Sequence, residues 1–377
     1  MKKSRLIFTI LVIVILSSLL ASCVGAGAAT TVQIWPGLTI SADGQVGYVA
    51  YGNHVYAVDL KSGVEKWRYP TAPVKNLGFS APPMLTNDGQ LIAGAYNKIL
   101  YSIDPSTGQG KEINQEATNR YYGGALALGQ NIYAPNIDNN LYAVDNTGKS
   151  IWKFPTEDML WSAPVTDGKV VYLAGMDHKI YALDPDTGKV IWQTDDLGGS
   201  MPSSPVYSDG KLYVGTFNNE ILALDSSNGK VLWREPTSGW VYARPVLDNG
   251  VLYFGDLEGK FYALDAATGK SKWANPIQPD TSSLREISGA AAVVGETVYF
   301  NNEAGVIYAL NKADGTQLWN SIGKDCCSKD GKTTLGKLYA PVQAIGDTLY
   351  VTPMGVGPLV VALDLNGAQK WSYTPAK

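Results

Sequence analysis

Ile180-Tyr181-Ala182-Leu183-Asp184-Pro185-Asp186-Thr187-Gly188-Lys189-Val190-Ile191-Trp192 is the stretch that decides how this chain folds. A short apolar run ends in an aspartate, a turn follows with glycine four residues on, and a second short run ends in tryptophan. The Asp184 carboxylate can accept backbone N–H bonds within the turn, and Gly188 supplies the positive φ that a Cβ would oppose. These residues predict a hairpin of two short strands.

Working outward, the same run returns as Val55-Tyr56-Ala57-Val58-Asp59, Leu141-Tyr142-Ala143-Val144-Asp145 and Phe261-Tyr262-Ala263-Leu264-Asp265, with looser copies ending at Asp104, Asp225, Asn311 and Asp364. The eight anchors lie 45, 41, 39, 41, 40, 46 and 53 residues apart. Each is followed by a glycine three or four residues later. Seven are followed after seven or eight residues by a tryptophan: Trp67, Trp152, Trp192, Trp233, Trp273, Trp319 and Trp371. In the second copy Glu112 stands where the spacing puts the tryptophan. Upstream of each anchor lies another turn and strand, as in Thr166-Asp167-Gly168-Lys169-Val170-Val171-Tyr172-Leu173, preceded by a short apolar strand. Each unit therefore predicts four short antiparallel strands. A lone four-stranded sheet would leave two apolar faces wet, so the units must stack, and closing them into a ring leaves no end unit exposed. The expected fold is all-β, an eight-bladed β-propeller over residues 32–377, with each Trp wedged against the next blade.

Composition narrows function. The chain has 30 Lys plus Arg against 34 Asp plus Glu, a net charge of −4, with 2 His and 3 Cys among 377 residues. Its first 22 residues hold three bases and no acid, so the remainder is more acidic than the whole, and a nucleic-acid partner is not expected. Too few His and Cys are present to build a Cys/His zinc cluster together with a haem attachment. Lys2, Lys3 and Arg5 precede the apolar run Leu6 to Leu20, which is too short for a comfortable membrane span and reads as a secretory signal over residues 1–22. Leu20-Ala21-Ser22-Cys23 resembles the lipobox of bacterial lipoproteins, which implies a lipidated Cys23. Residues 23–31 read as a flexible tether.

Tyr-Ala-Leu-Asp-x-x-Thr-Gly-x-x-x-Trp resembles the pyrroloquinoline-quinone (PQQ) repeat. That repeat occurs in quinoprotein dehydrogenases and in non-enzymatic propellers such as the outer-membrane assembly lipoproteins of the BamB type. The repeat residues build blades, so the resemblance implies fold more than function. The dehydrogenase reading draws on Cys326-Cys327, since such enzymes stack a vicinal disulfide on PQQ; yet the pair falls between the seventh and eighth units, and neither a calcium motif nor a base is evident. Length, lipobox and unit number fit the BamB type better. The expectation is thus an exported, monomeric scaffold without cofactor or catalytic residues, attached to a membrane through lipid alone. It would face the periplasm or the cell exterior and bind other envelope or cell-surface proteins. A propeller that binds carbohydrate or peptide at the surface is the other binding alternative.

Candidate binding residues follow from where the units differ. Aligning the starts of the first strands places Trp35, Phe79, Tyr122, Trp161, Pro202, Tyr242, Ile287 and Leu338 at one position, with Tyr339 beside the last. In a propeller the first strand of each blade lines the channel. Trp35, Phe79, Tyr122, Trp161, Tyr242 and Tyr339 are therefore expected on a rim, with Arg244 pointing inward and Arg285 on a long connection. Cys326 and Cys327 are expected to form a vicinal disulfide, because exported thiols rarely stay reduced. His54, His178 and Gly331-Lys332-Thr333 lack the context of a metal or phosphate site.

Overall fold

The computed structural model describes residues 36–79, 81–322, 328–329, 332–333, 335–355 and 357–376. Cys23, Trp35, Cys326 and Cys327 lie outside the described residues, as does the whole of segment 1–31. The chain divides into the units Met1–Ile34 and Trp35–Lys377, and the second is described below.

Eight antiparallel sheets follow one another along the described residues. The first blade comprises Gly37–Ile40, Val46–Tyr51, His54–Asp59 and Glu65–Tyr69; the fifth comprises Val206–Ser208, Lys211–Thr216, Glu220–Asp225 and Val231–Pro236. All eight share this sequential order, as the anchor spacing predicts. The sixth is reduced: Val246–Asp248, Val251–Gly255 and Phe261–Asp265 make three strands, and its outer edge survives as the isolated bridges Phe261–Ile277 and Leu264–Ser271. A small extra hairpin, Ser328–Lys329 with Lys332–Thr333, stands between the seventh and eighth blades.

Second and third strands are buried along nearly their full length, whereas outer strands such as Ser150–Pro155 alternate between half-buried and exposed. That contrast is what stacking requires, because a middle strand is covered on both faces by neighbouring blades and an outer strand is not. Eight apolar clusters each join two successive blades. Tyr48, Ala57, Phe79 and Tyr101 knit the first to the second, and Leu38, Val49, Tyr56 and Val58 meet Tyr350, Val360, Ala362 and Tyr373 to join the eighth back to the first. The ring is closed. First strands of neighbouring blades also approach each other, as Met84–Leu85 does Leu126–Leu128, which places them around the axis.

The tryptophan of one blade packs on the anchor turn of the next. Trp192 Nε1 donates to the Ser226 carbonyl at 2.9 Å, and a Cβ built on Gly229, whose φ is +73°, would lie 2.6 Å from the Trp192 ring. Every Trp of the series makes the equivalent bond, including Trp371 to Leu60 across the closure. The second blade differs from the expectation. Its register shift falls between Leu100 and Tyr101, whereas in the first blade it falls between Ala57, opposite Trp67, and Val58, so Lys111 pairs with Ser102 where Trp would pair with Ala, and Glu112 falls opposite Tyr101.

Candidate functional site

In this strand order the turn between second and third strands and the connection to the next blade share one end of the ring. The anchor turns lie at the other end. At the first end the backbone itself supplies an alignment. Tyr96, Ile137, Met176, Phe217, Leu257, Glu303 and Met354, each just past a second strand, donate their N–H to the carbonyls of Gly78, Arg120, Met159, Ser200, Trp240, Glu286 and Lys337. One residue beyond those carbonyls runs a buried row, Phe79, Tyr121, Leu160, Met201, Val241, Ile287 and Leu338. One residue further the chain faces the channel, with Tyr122, Trp161, Pro202, Tyr242, Ser288 and Tyr339.

This alignment corrects the sequence reading of the rim. Phe79 is fully buried between the first and second blades against Tyr101, because it belongs to the row of Tyr121 and Leu160. Ile287 and Leu338 are core for the same reason. Tyr122, Trp161, Tyr242 and Tyr339 do occupy the channel-facing row, and Trp35 is outside the described residues. Connections of unequal length leave no way to count these positions from sequence. Arg285 is held outward by Glu258, whose carboxylate and carbonyl both accept from its guanidinium.

Where the turn residue of one blade meets the connection residue of the next, three pairs make close contact, each with its own chemistry. The Arg120 guanidinium lies over the Tyr96 ring, 5.2 Å from its centre. Phe217 stacks on Trp240 with centroids 4.7 Å apart and lies beside Tyr242 at 6.2 Å. Lys337 pairs with Glu303, which also accepts from the Tyr339 hydroxyl at 2.7 Å. None of Tyr96, Arg120, Phe217, Trp240, Glu303 or Lys337 stands out in the sequence. Tyr96, Phe217 and Glu303 lie one or two residues past a second strand, a position the sequence could have flagged, whereas Arg120, Trp240 and Lys337 lie in connections of unequal length that carry no such marker.

Tyr122 and Tyr242, from the third and sixth blades, share a hydrogen bond across the mouth, and burial pushes both hydroxyls above the usual tyrosine range. Tyr122 also lies beside Trp161, with ring centroids 5.5 Å apart. Burial raises the Glu286 carboxyl, and the nearby Glu303 charge adds to this. Glu303 is itself partly desolvated, yet Lys337 and Tyr339 hold it below the ordinary range. Below the rim stands Arg244, two residues past Tyr242 and just before the sixth blade's first strand, and its surroundings lower its pKa by desolvation alone. It lines a cavity of about 350 Å³ with Val206, Tyr207, Ser208 and Val246.

Among the described residues, no group of three or more His, Cys, Asp or Glu converges as a metal site requires. No helix among them is long and apolar enough to cross a membrane.

A family model described as outer membrane protein assembly factor BamB matches residues 30–121, 122–205 and 176–325. The tetrathionate hydrolase of Acidithiobacillus ferrooxidans is 28% identical over 145 residues, which span 37% of this chain and 24% of that protein. The chain thus matches about a quarter of that relative's length. Among solved structures, the computationally designed Ika8 protein superposes with a TM-score of 0.69 at 14% identity, covering 91% of this chain and 97% of that one. BamB from Moraxella catarrhalis superposes with a TM-score of 0.66 at 17% identity, covering 84% and 92%. At such identities the two structural likenesses speak for the fold alone.

Proposed function

The chain belongs to the family of the outer membrane protein assembly factor BamB, and from that premise we propose that it is a non-enzymatic scaffold of the cell envelope. In this reading it is exported, held to a membrane by lipid on Cys23, and binds another envelope protein through the channel mouth where Phe217, Trp240 and Tyr242 gather.

The observation that carries the reading is Trp240. Its side chain is 50% exposed, yet its ring is stacked on Phe217, which in turn lies against Tyr242. An exposed aromatic held in place from behind loses little freedom on docking and offers large area, the properties of an interface anchor. The run Leu20-Ala21-Ser22-Cys23 supports the anchor, and dual acyl chains on one cysteine would bind a membrane stably. The test is affinity purification from cells of the source organism. Wild type should retain a discrete envelope protein that a Trp240→Ala, Phe217→Ala variant of unchanged melting temperature loses. Equal retention by both would remove the mouth from the interaction.

A second reading, an enzyme, is favoured by Glu286 and Glu303, neighbouring carboxyl groups shifted in opposite directions as an acid and base pair would be. The partial likeness to a hydrolase points the same way. We expect no turnover of tetrathionate, and none of alcohols with added PQQ and Ca²⁺. A stoichiometric quinone spectrum after gel filtration, or turnover lost in Glu303→Gln, would establish the enzyme instead.

A further inference from the structure

Six buried side-chain polar atoms among the described residues lack a hydrogen-bond partner, and two of them belong to one residue pair at the mouth between the second and third blades. One is the Tyr96 hydroxyl. The other is Arg120 Nε, on the guanidinium that lies over the Tyr96 ring. A buried donor without an acceptor is costly, and folded proteins rarely keep one without a ligand or bound water. Arg120 also enters none of the ion pairs formed among the described residues. Among the described residues, Arg68, Arg234 and Arg285 each pair with a glutamate, and Arg120 and Arg244 do not.

The position over the ring limits how the group can act. A guanidinium held there keeps a planar fork of N–H donors, the group that receives two acceptor oxygens. The surrounding groups suit the same ligand. Tyr122 and Tyr242 lie close to Tyr96, Tyr122 lies near Arg120, and Trp161 closes the side with a ring 5.5 Å from that of Tyr122. Deeper in the channel Arg244 adds a second cation, while the mouth's carboxyl groups, Glu286 and Glu303, belong to the seventh blade and Glu303 is already paired with Lys337.

We propose that this mouth is a carboxylate-binding site, in which Arg120 and the Tyr96 hydroxyl donate to the anion while Tyr122 and Trp161 flank whatever carries it. The carboxylate can belong to a free small molecule or to an acidic side chain of a partner polypeptide. The site does not depend on the scaffold reading, because occupancy needs only Arg120, Tyr96 and the flanking rings.

The experiment is calorimetric titration of the full chain with benzoate, with benzamide as the uncharged isostere, and with acetyl-Phe-Glu-amide to represent a side chain on a polypeptide. Benzoate or the peptide should bind with one equivalent per chain, and benzamide about tenfold or more weaker. Arg120→Gln should weaken the carboxylate about tenfold or more, and the milder Tyr96→Phe should weaken it severalfold while melting as wild type does. Tighter binding of the peptide assigns a protein source, and tighter binding of benzoate a small molecule. Equal affinity for benzoate and benzamide, equal affinity in Arg120→Gln, or no saturable binding of either carboxylate would overturn the site. Any of these results leaves the partner-retention test on Trp240 and Phe217 untouched.

Discussion

A tryptophan ring against a glycine of the next blade is the contact this fold repeats most faithfully. Trp192 fills the space that a Cβ on Gly229 would occupy and ties its indole N–H to the Ser226 carbonyl. Trp192→Ala should therefore cost about 3 kcal/mol, as for a large aromatic lost from a packed site. Gly229→Ala should cost about 1–2 kcal/mol, since it clashes with the ring and also strains a positive φ. Because both act on one contact, the double variant should lose less than the two singles together, which a double-mutant cycle from urea denaturation measures. Additive losses would mean that the ring and the turn do not depend on each other. Glu112→Ala, on the blade that lacks the tryptophan, should stay within about 0.5 kcal/mol of wild type. The repeated slot was legible because tryptophan recurs at a fixed distance from the anchor. Its partner was not, since the acceptor lies a whole blade away.

At the scale of the element, the anchor turns are small networks with a carboxylate at the centre. Asp184 accepts from the Thr187 hydroxyl and from the backbone N–H groups of Asp186 and Thr187. Asp59, Asp104, Asp145, Asp225 and Asp265 repeat the arrangement with their own hydroxyl partners. Those hydroxyl bonds, seconded by the backbone, hold all six carboxyls below the ordinary aspartate range. A carboxyl whose pKa is lower folded than unfolded stabilises the fold fully above its unfolded pKa and ceases to as pH falls through the folded value. Melting temperature should thus be nearly flat from pH 7 to about 5 and fall steeply below about pH 4. A maximum near pH 4 would contradict this. In the seventh blade Asn311 holds the same turn by accepting from the Ala313 N–H. Asp184→Asn should accordingly keep the fold and lessen the acid sensitivity. The turns and strands were readable from local pattern, but the rim was not. Phe79 and Tyr122 look alike in sequence, and only the hydrogen bonds to neighbouring turns show that one is core and the other lines the channel.

For the whole molecule, the eight units and their closure follow from the count of anchors, while the chemistry of the mouth does not. The Arg120–Tyr96, Phe217–Trp240 and Glu303–Lys337 pairs join residues some 23 to 34 positions apart in sequence, and no local pattern links them. Closure makes a quantitative claim. The eighth blade packs on the first through Trp371 as every other Trp-bearing blade packs on its successor, so Trp371→Ala should destabilise about as much as Trp192→Ala. In an open array the last blade would be a frayed end, and the loss there would be much smaller. The central claim, that the mouth end of the ring is the surface offered to an envelope partner, is tested most directly by placing a photo-crosslinking residue at position 240 and, separately, at position 186 on the anchor-turn end. After irradiation of intact cells, position 240 should yield one discrete adduct with an integral membrane protein and position 186 none. Adducts from position 186 with none from position 240 would contradict the account.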